Sequence, residues 1–270
     1  MDTVRPGDAA WVAVITLSPE GGKLAGALLN RLPGSRGYIH EKAAYGDGRF
    51  EKFSRVVDLT AEIFGKVRGL VYIAPCGAVV RAIAPHLSGK KTDPAVVQVD
   101  IGGRYAVSLL SGHEGGANDL AMEVANAIGA EPVISTSTEA AKNIIVGVGC
   151  RKGKSAGSIK AAIMDSLEIT GVSLAKVRLI ASADVKENEP GLIEAARELG
   201  LPVRFIPSED IRRADLPVER SDFVQEKVNL PAVAEPAALL AGRRTSLILK
   251  KLKRDGVTVA LAKENCSSLE

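Results

Sequence analysis

Aromatic side chains are scarce in this 270-residue chain, at 4%. That argues against a base-stacking nucleic-acid surface, which needs aromatic platforms. Cysteine is scarce as well: Cys76, Cys150 and Cys266 stand far apart. An odd count at such spacing builds neither a disulfide framework nor a zinc site, and it fits a reducing, cytoplasmic setting. No apolar run approaches the roughly 18 residues of a membrane span. Residues 1–10 mix Asp, Arg, Pro and Gly, so no secretory leader is expected there. Charge of one sign is also lacking. A net charge of +3 is too small to argue for DNA or a membrane surface.

What remains is ordinary for a globular protein: 46% hydrophobic and 25% charged residues, and a length that suits one large or two small domains. Trp11–Leu17 reads as a buried strand. Ser18-Pro19-Glu20 then opens a helix, with serine as N-cap, proline in the first turn and an acid at the positive dipole end. Residues 34–55 carry only weak strand signals. Gly69–Ala74 is a second buried strand, followed by a Pro75-Cys76-Gly77 turn and a helix over 78–87. Ala95–Val99 and Arg104–Leu110 read as strands that a turn at 100–103 can join as a hairpin.

A second unit begins near Asn143, with strands at 144–149, 177–181 and 203–206 and helices at 155–170 and 189–199. Asp255-Gly256 marks a hairpin between Ser246–Leu252 and Val257–Leu261. Alternating strands and helices predict an α/β fold of two domains, residues 1–140 and 144–268, each a mainly parallel sheet flanked by helices.

The densest chemistry lies at 111–119, Ser-Gly-His-Glu-Gly-Gly-Ala-Asn-Asp, between an apolar strand and a helix. It holds one of only three histidines. Helix N–H groups at such a turn can face an anion.

With those residues in view, the chain resembles the cobalt-precorrin-5A hydrolase family of anaerobic cobalamin biosynthesis. In the first half the carriers are Gly77–Pro85, Lys91–Val97, Ser108–Ala121 and Pro132–Thr138. In the second half they are Gly147–Gly153, Ala181–Glu189 and Val233–Leu239. Two features depart from the family. Its middle segment is missing, since residues 140–143 join the halves directly, and Glu114 stands where members often carry an apolar residue.

The resemblance implies a cobalt tetrapyrrole substrate bound in or beside the cleft between the domains. Water opens its lactone and a two-carbon fragment leaves as acetaldehyde, giving cobalt-precorrin-5B. The cobalt arrives with the substrate, so no cofactor and no dedicated metal site are expected. Other cobalamin-pathway enzymes are candidate partners; nucleic acid and membrane are not. The alternative is a protein that binds or hands over a corrinoid without turning it over. A nucleotide loop at 150–155 is a weaker option, because the Walker spacing is not met there.

Such a reaction needs a base, oxyanion donors, and cations or N–H groups for the peripheral carboxylates. His113 is the candidate base, since imidazole titrates near neutrality; its structural alternative is to shape the turn. Ser111 can orient water or cap the helix, and capping is the favoured role. Gly112, Gly115 and Gly116 permit close backbone approach to a ligand, or simply a tight turn. Asn118 can contact the ligand. Gly77, at a helix start, and Arg81, one turn on, can hold a carboxylate, or Arg81 can be a surface ion-pair residue. Arg151 lies in a basic turn before a helix. Lys186 follows a strand, as a site residue or as half of a solvated pair with Glu187. His40 and His86 read as surface residues, Cys76 as a small packed one, and the cations at 250–254 as cover for an exposed hairpin.

Overall fold

A computed structural model describes residues 11–216, 230 and 232–266. Residues 1–10, where no leader is expected, and the last residues of the second predicted domain lie outside these. The chain forms two compact units, Met1–Thr136 and Ser137–Glu270.

The first unit is a seven-stranded sheet. Its strands are β1 (Val12–Thr16), β2 (Ser35–His40), β3 (Phe50–Phe53), β4 (Gly69–Ile73), β5 (Ala95–Val99), β6 (Tyr105–Leu110) and β7 (Glu131–Val133). They are ordered β3-β2-β1-β4-β5-β6-β7. Every neighbouring pair is parallel except β5 and β6, where Val96 faces Leu110 and Val99 faces Ala106. The hairpin expected at 100–103 is therefore real. The central strands β1, β4 and β5 are buried along their whole length. Alternate residues of β1 feed two cores: Val12 and Val14 pack on one face, Ala13 and Ile15 on the other. Burial of both faces is why these strands read as unbroken apolar runs.

Helices α1 (Pro19–Arg31), α2 (Val56–Ile63), α3 (Cys76–Ile83) and α4 (Ala117–Ile128) cover the sheet. The Ser18 hydroxyl accepts from Gly21 N–H at 3.2 Å, the cap predicted for α1. The segment α5 (Ser137–Ala140) opens the second unit. Only residues 141–143 separate it from the next strand, so the halves join directly.

The second unit contains β8 (Ile144–Cys150), α6 (Ala156–Thr170), β9 (Val177–Ala183), α7 (Pro190–Leu199), β10 (Val203–Ile206), α8 (Ser208–Arg213), α9 (Ala234–Leu240), β11 (Thr245–Arg254) and β12 (Val257–Glu264). Its sheet runs β10-β9-β8-β12-β11 and is mixed: β8, β9 and β10 are parallel, while β12 is antiparallel to both β8 and β11. Asp255 (φ 45°) and Gly256 (φ 72°) make the predicted tight turn. Helices α6 and α7 pack on one face. On the other, α9 lies so close that a Cβ on Gly147 would fall 1.9 Å from the Ala234 carbonyl.

Candidate active site

The segment after β6 is a self-bonded loop, and its own atoms satisfy much of it. The Ser111 carbonyl accepts from the Gly115 and Ala117 N–H groups, both at 3.1 Å. The Gly112 carbonyl accepts from Asn118 N–H at 2.9 Å. The first N–H groups of α4 are thus used inside the loop rather than offered to an anion, which corrects the expectation from the sequence. The cap of α4 is Gly116 in the left-handed region (φ 82°), with no side-chain cap. Ser111 therefore does not cap the helix. It holds φ 60° itself, which is uncommon outside glycine, and its Oγ is buried with no hydrogen-bond partner among the described residues.

The glycines are fixed by this packing. A Cβ on Gly112 would lie 2.5 Å from Thr136 Cγ2, and one on Gly115 would lie 2.3 Å from Ser111 Cβ. Gly112 thus approaches the segment after β7 and Gly115 the loop itself, while a Cβ on Gly116 would meet open space. Asn118 is buried, not ligand-facing: its Oδ1 accepts from Ser108 Oγ at 2.8 Å and its Nδ2 donates to Thr136 Oγ1 at 3.0 Å. His113 is exposed, and its ring makes no hydrogen bond among the described residues. The Glu114 carboxylate next to it acts on it through charge but forms no hydrogen bond to its ring among the described residues.

A neighbouring turn braces the loop. The buried Asp93 carboxylate accepts from the N–H groups of Ser88 (2.9 Å) and Gly89 (3.2 Å). Lys90, carried by that turn, pairs with Glu114 at 2.8 Å, and its ammonium holds the Glu114 carboxyl below the usual carboxylate range. Lys90, Asp93, Ser108 and Thr136 were not singled out as site residues. Asp93, Ser108 and Thr136 lie within the segments that carried the resemblance and Lys90 directly precedes one of them, which was the available signal.

Gly77 and Arg81 lie elsewhere. Ile73 is level with Val99 and Ala106, whereas Leu110 is level with Val96. Gly77 follows β4 at one edge of the sheet, and the His113 loop follows the antiparallel β6 at the other. The strand length between those levels is on the order of 13 Å. Gly77 and Arg81 do meet each other, since the Arg81 guanidinium donates to the Gly77 carbonyl at 3.0 Å. That replaces the ion pair considered for Arg81. Cys76, beside them, is exposed rather than packed. His40 and His86 are half-buried, not surface residues: His40 packs edge-on against Phe53 and His86 lies against Phe64. His40 also lines a cavity of about 600 Å³ at the carboxyl ends of β1, β2 and β3.

Arg151 and Lys186 are brought together in the second unit. Both line a cavity of about 1100 Å³ at the carboxyl ends of β8 and β9. Lys186 pairs with buried Glu189 at 3.3 Å, not with Glu187, and Glu189 also accepts from Gly153 N–H at 2.7 Å. The hairpin cations are not mere cover, because Lys251, Lys253 and Arg254 line the same cavity. So does Cys150, whose thiol is pushed up by burial.

Two sequence-family profiles match the chain: "Cobalamin synthesis G N-terminal" over residues 58–139 and "Cobalamin synthesis G C-terminus" over 144–262. The chain belongs to the cobalamin synthesis G family. Its role is therefore in cobalamin biosynthesis. It is similar to the cobalt-precorrin-5A hydrolase of Priestia megaterium, 26% identical over 352 positions that cover 93% of this chain and 94% of the relative. It is likewise similar to the protein of that name from Salmonella typhimurium, 24% identical over 97% of this chain and 99% of the relative. Both alignments are longer than the 270 residues of this chain, so the relatives carry segments it lacks. The crystal structure of CobE, a protein of the same pathway, covers 46% of this chain and 91% of its own at 33% identity, with a TM-score of 0.43. No helix among the described residues is long and apolar enough to cross a membrane.

Proposed function

We propose that this protein hydrolyses cobalt-precorrin-5A, opening its lactone and releasing acetaldehyde to leave cobalt-precorrin-5B. The observation that carries the reading is the meeting of three segments, at 91–97, 108–121 and 132–138, around an exposed imidazole on a braced loop. His113 takes a proton from the water that attacks the lactone carbonyl. The freed hydroxyl then loses its proton as the adjacent carbon–carbon bond breaks. Acetaldehyde leaves, and the carbon left on the macrocycle is protonated. Imidazole suits both proton transfers near neutral pH.

Ser111 orients the water, its buried hydroxyl having no protein partner among the described residues. Gly112, Gly115, Gly116 and Asn118 act by shaping the loop. Arg151 lines the cavity of the second unit and is a candidate there for an anionic group, with Lys186 beside it holding Glu189. Gly77 and Arg81, at the other end of their own sheet from His113, are candidates for a separate anion contact. The cobalt enters with the substrate, so the protein supplies binding and proton transfer. A cytoplasmic location and exchange of substrate and product with other pathway enzymes belong to the same reading.

The test is purified protein with cobalt-precorrin-5A, trapping acetaldehyde by its enzymatic reduction. Stoichiometric acetaldehyde supports hydrolysis. Tight binding without acetaldehyde would leave a corrinoid carrier instead. His113→Ala is expected to lower kcat by about 100-fold or more with binding retained. Unchanged turnover would remove the base assignment.

A further inference from the structure

The cavity of the second unit has features that a surface cleft does not need. At about 1100 Å³ it exceeds the space a drug-sized ligand usually fills. Val185, Val233 and Val257 give it an apolar wall, while Arg151, Lys152 and Lys253 supply positive charge. Of the carboxylates present, Glu189 is engaged by Lys186 and Gly153, and Asp255 by Lys154. Positive charge therefore predominates.

Glu235 is the exception. It lines the cavity and is 3% exposed. Its Oε1 accepts from Lys251 N–H at 3.1 Å, but its Oε2 has no hydrogen-bond partner among the described residues. A buried acceptor left unpaired costs about 1–3 kcal/mol. A carboxylate of the ligand cannot relieve that; an N–H or O–H group can.

We propose that this cavity binds a bulky apolar molecule bearing several carboxylates and at least one N–H or O–H donor. The carboxylates meet the cations at 151, 152 and 253, and the donor meets Glu235. Glu235 thus sets which side of the ligand enters, because it repels an acid group and accepts a donor. The identification of that ligand as a polycarboxylate tetrapyrrole rests on the proposed function; the demand for an anionic amphipath with a donor does not.

The experiment titrates the full chain with two probes. One is a partly amidated cobyrinic acid, a cobalt corrin with both carboxylates and primary carboxamides. The other is uroporphyrin III, whose periphery carries carboxylates alone. The amidated corrin is expected to bind the unaltered chain. Arg151→Ala and Lys152→Ala should each weaken both probes by about tenfold. Glu235→Gln keeps the Oε1 bond to Lys251 and turns the second oxygen into a donor. It should weaken the amidated corrin at least about tenfold more than uroporphyrin, with an unchanged melting temperature.

If neither probe binds, or the two cation variants bind as the unaltered chain does, the site assignment falls. If Glu235→Gln leaves the ratio of the two affinities unchanged, its role as acceptor falls. His113→Ala should bind both probes normally. If the unaltered chain binds the probes but releases no acetaldehyde from cobalt-precorrin-5A, the hydrolytic reading of the first unit falls and this cavity stands.

Discussion

Asn118 donates to Thr136 across 3.0 Å and so ties the start of α4 to the segment that leaves β7. The same side chain receives the Ser108 hydroxyl from β6. One buried amide therefore fixes three pieces of chain around His113. Asn118→Ala would strand two hydroxyls in a part-buried setting. Stability should fall by about 1–3 kcal/mol, and turnover should fall further than stability alone explains. Chemical denaturation together with an acetaldehyde assay separates the two. Unaltered stability would mean that the bonds are not formed in solution.

The loop glycines should divide by position. Gly112→Ala and Gly115→Ala introduce a Cβ at 2.5 Å and 2.3 Å from neighbouring carbon atoms, so the loop must shift. Each is expected to cost about 1–3 kcal/mol. Gly116→Ala meets open space and pays only for its positive φ, about 1–2 kcal/mol. Gly116→Asn should recover part of that, because asparagine tolerates the left-handed region. Thermal denaturation of the four variants checks the order; equal losses at all three positions would contradict it.

Ser111 combines a positive φ with a buried hydroxyl that has no hydrogen-bond partner among the described residues, two costs that glycine does not carry. Ser111→Gly should therefore hold or raise stability, by up to about 1 kcal/mol. If the hydroxyl orients water, turnover should drop by about tenfold or more. A variant that is both stable and fully active would show that Ser111 serves neither the fold nor the reaction.

Cys150 offers a probe of the second cavity. Burial raises its thiol pKa; Lys186 beside it works the other way, and Glu189 adds to the rise. A raised pKa leaves less thiolate at a given pH. Alkylation of Cys150 should therefore lag that of exposed Cys76 at mildly alkaline pH and gain on it as pH rises further. An amphipathic polycarboxylate bound in the cavity should slow Cys150 and leave Cys76 unaffected. Mass spectrometry of peptides after timed iodoacetamide treatment reads both sites. Protection of neither would argue against ligand entry beside Cys150.

Much of the local structure was legible in residue order. Ser18-Pro19 announces a capped helix, Asp255-Gly256 a tight turn, and the apolar runs of β1, β4 and β5 strands buried on both faces. These signals are local: a cap, a left-handed turn or a two-sided strand depends on residues within a few positions. The hairpin at 100–103 was legible as well. Its consequence was not, because reversing β6 carries the His113 loop to the sheet edge opposite Gly77 and Arg81. Which edge a loop reaches depends on the whole strand order, and no local pattern encodes that.

Long-range packing decided the rest. Asn118 follows a glycine-rich turn and reads as a ligand contact, yet Ser108 and Thr136 claim both ends of its amide. Glu235 stands within a segment that carried the resemblance but was not singled out; packing of α9 against the sheet buries it and leaves one oxygen with no hydrogen-bond partner among the described residues. Sequence by itself determined most of the elements, the α/β class and the family, though β2 and β3 gave only weak signals, α8 gave none, and the second sheet is mixed rather than mainly parallel. Tertiary structure decided which side chains share a site, because burial and hydrogen-bond satisfaction are set by residues brought together from distant parts of the chain.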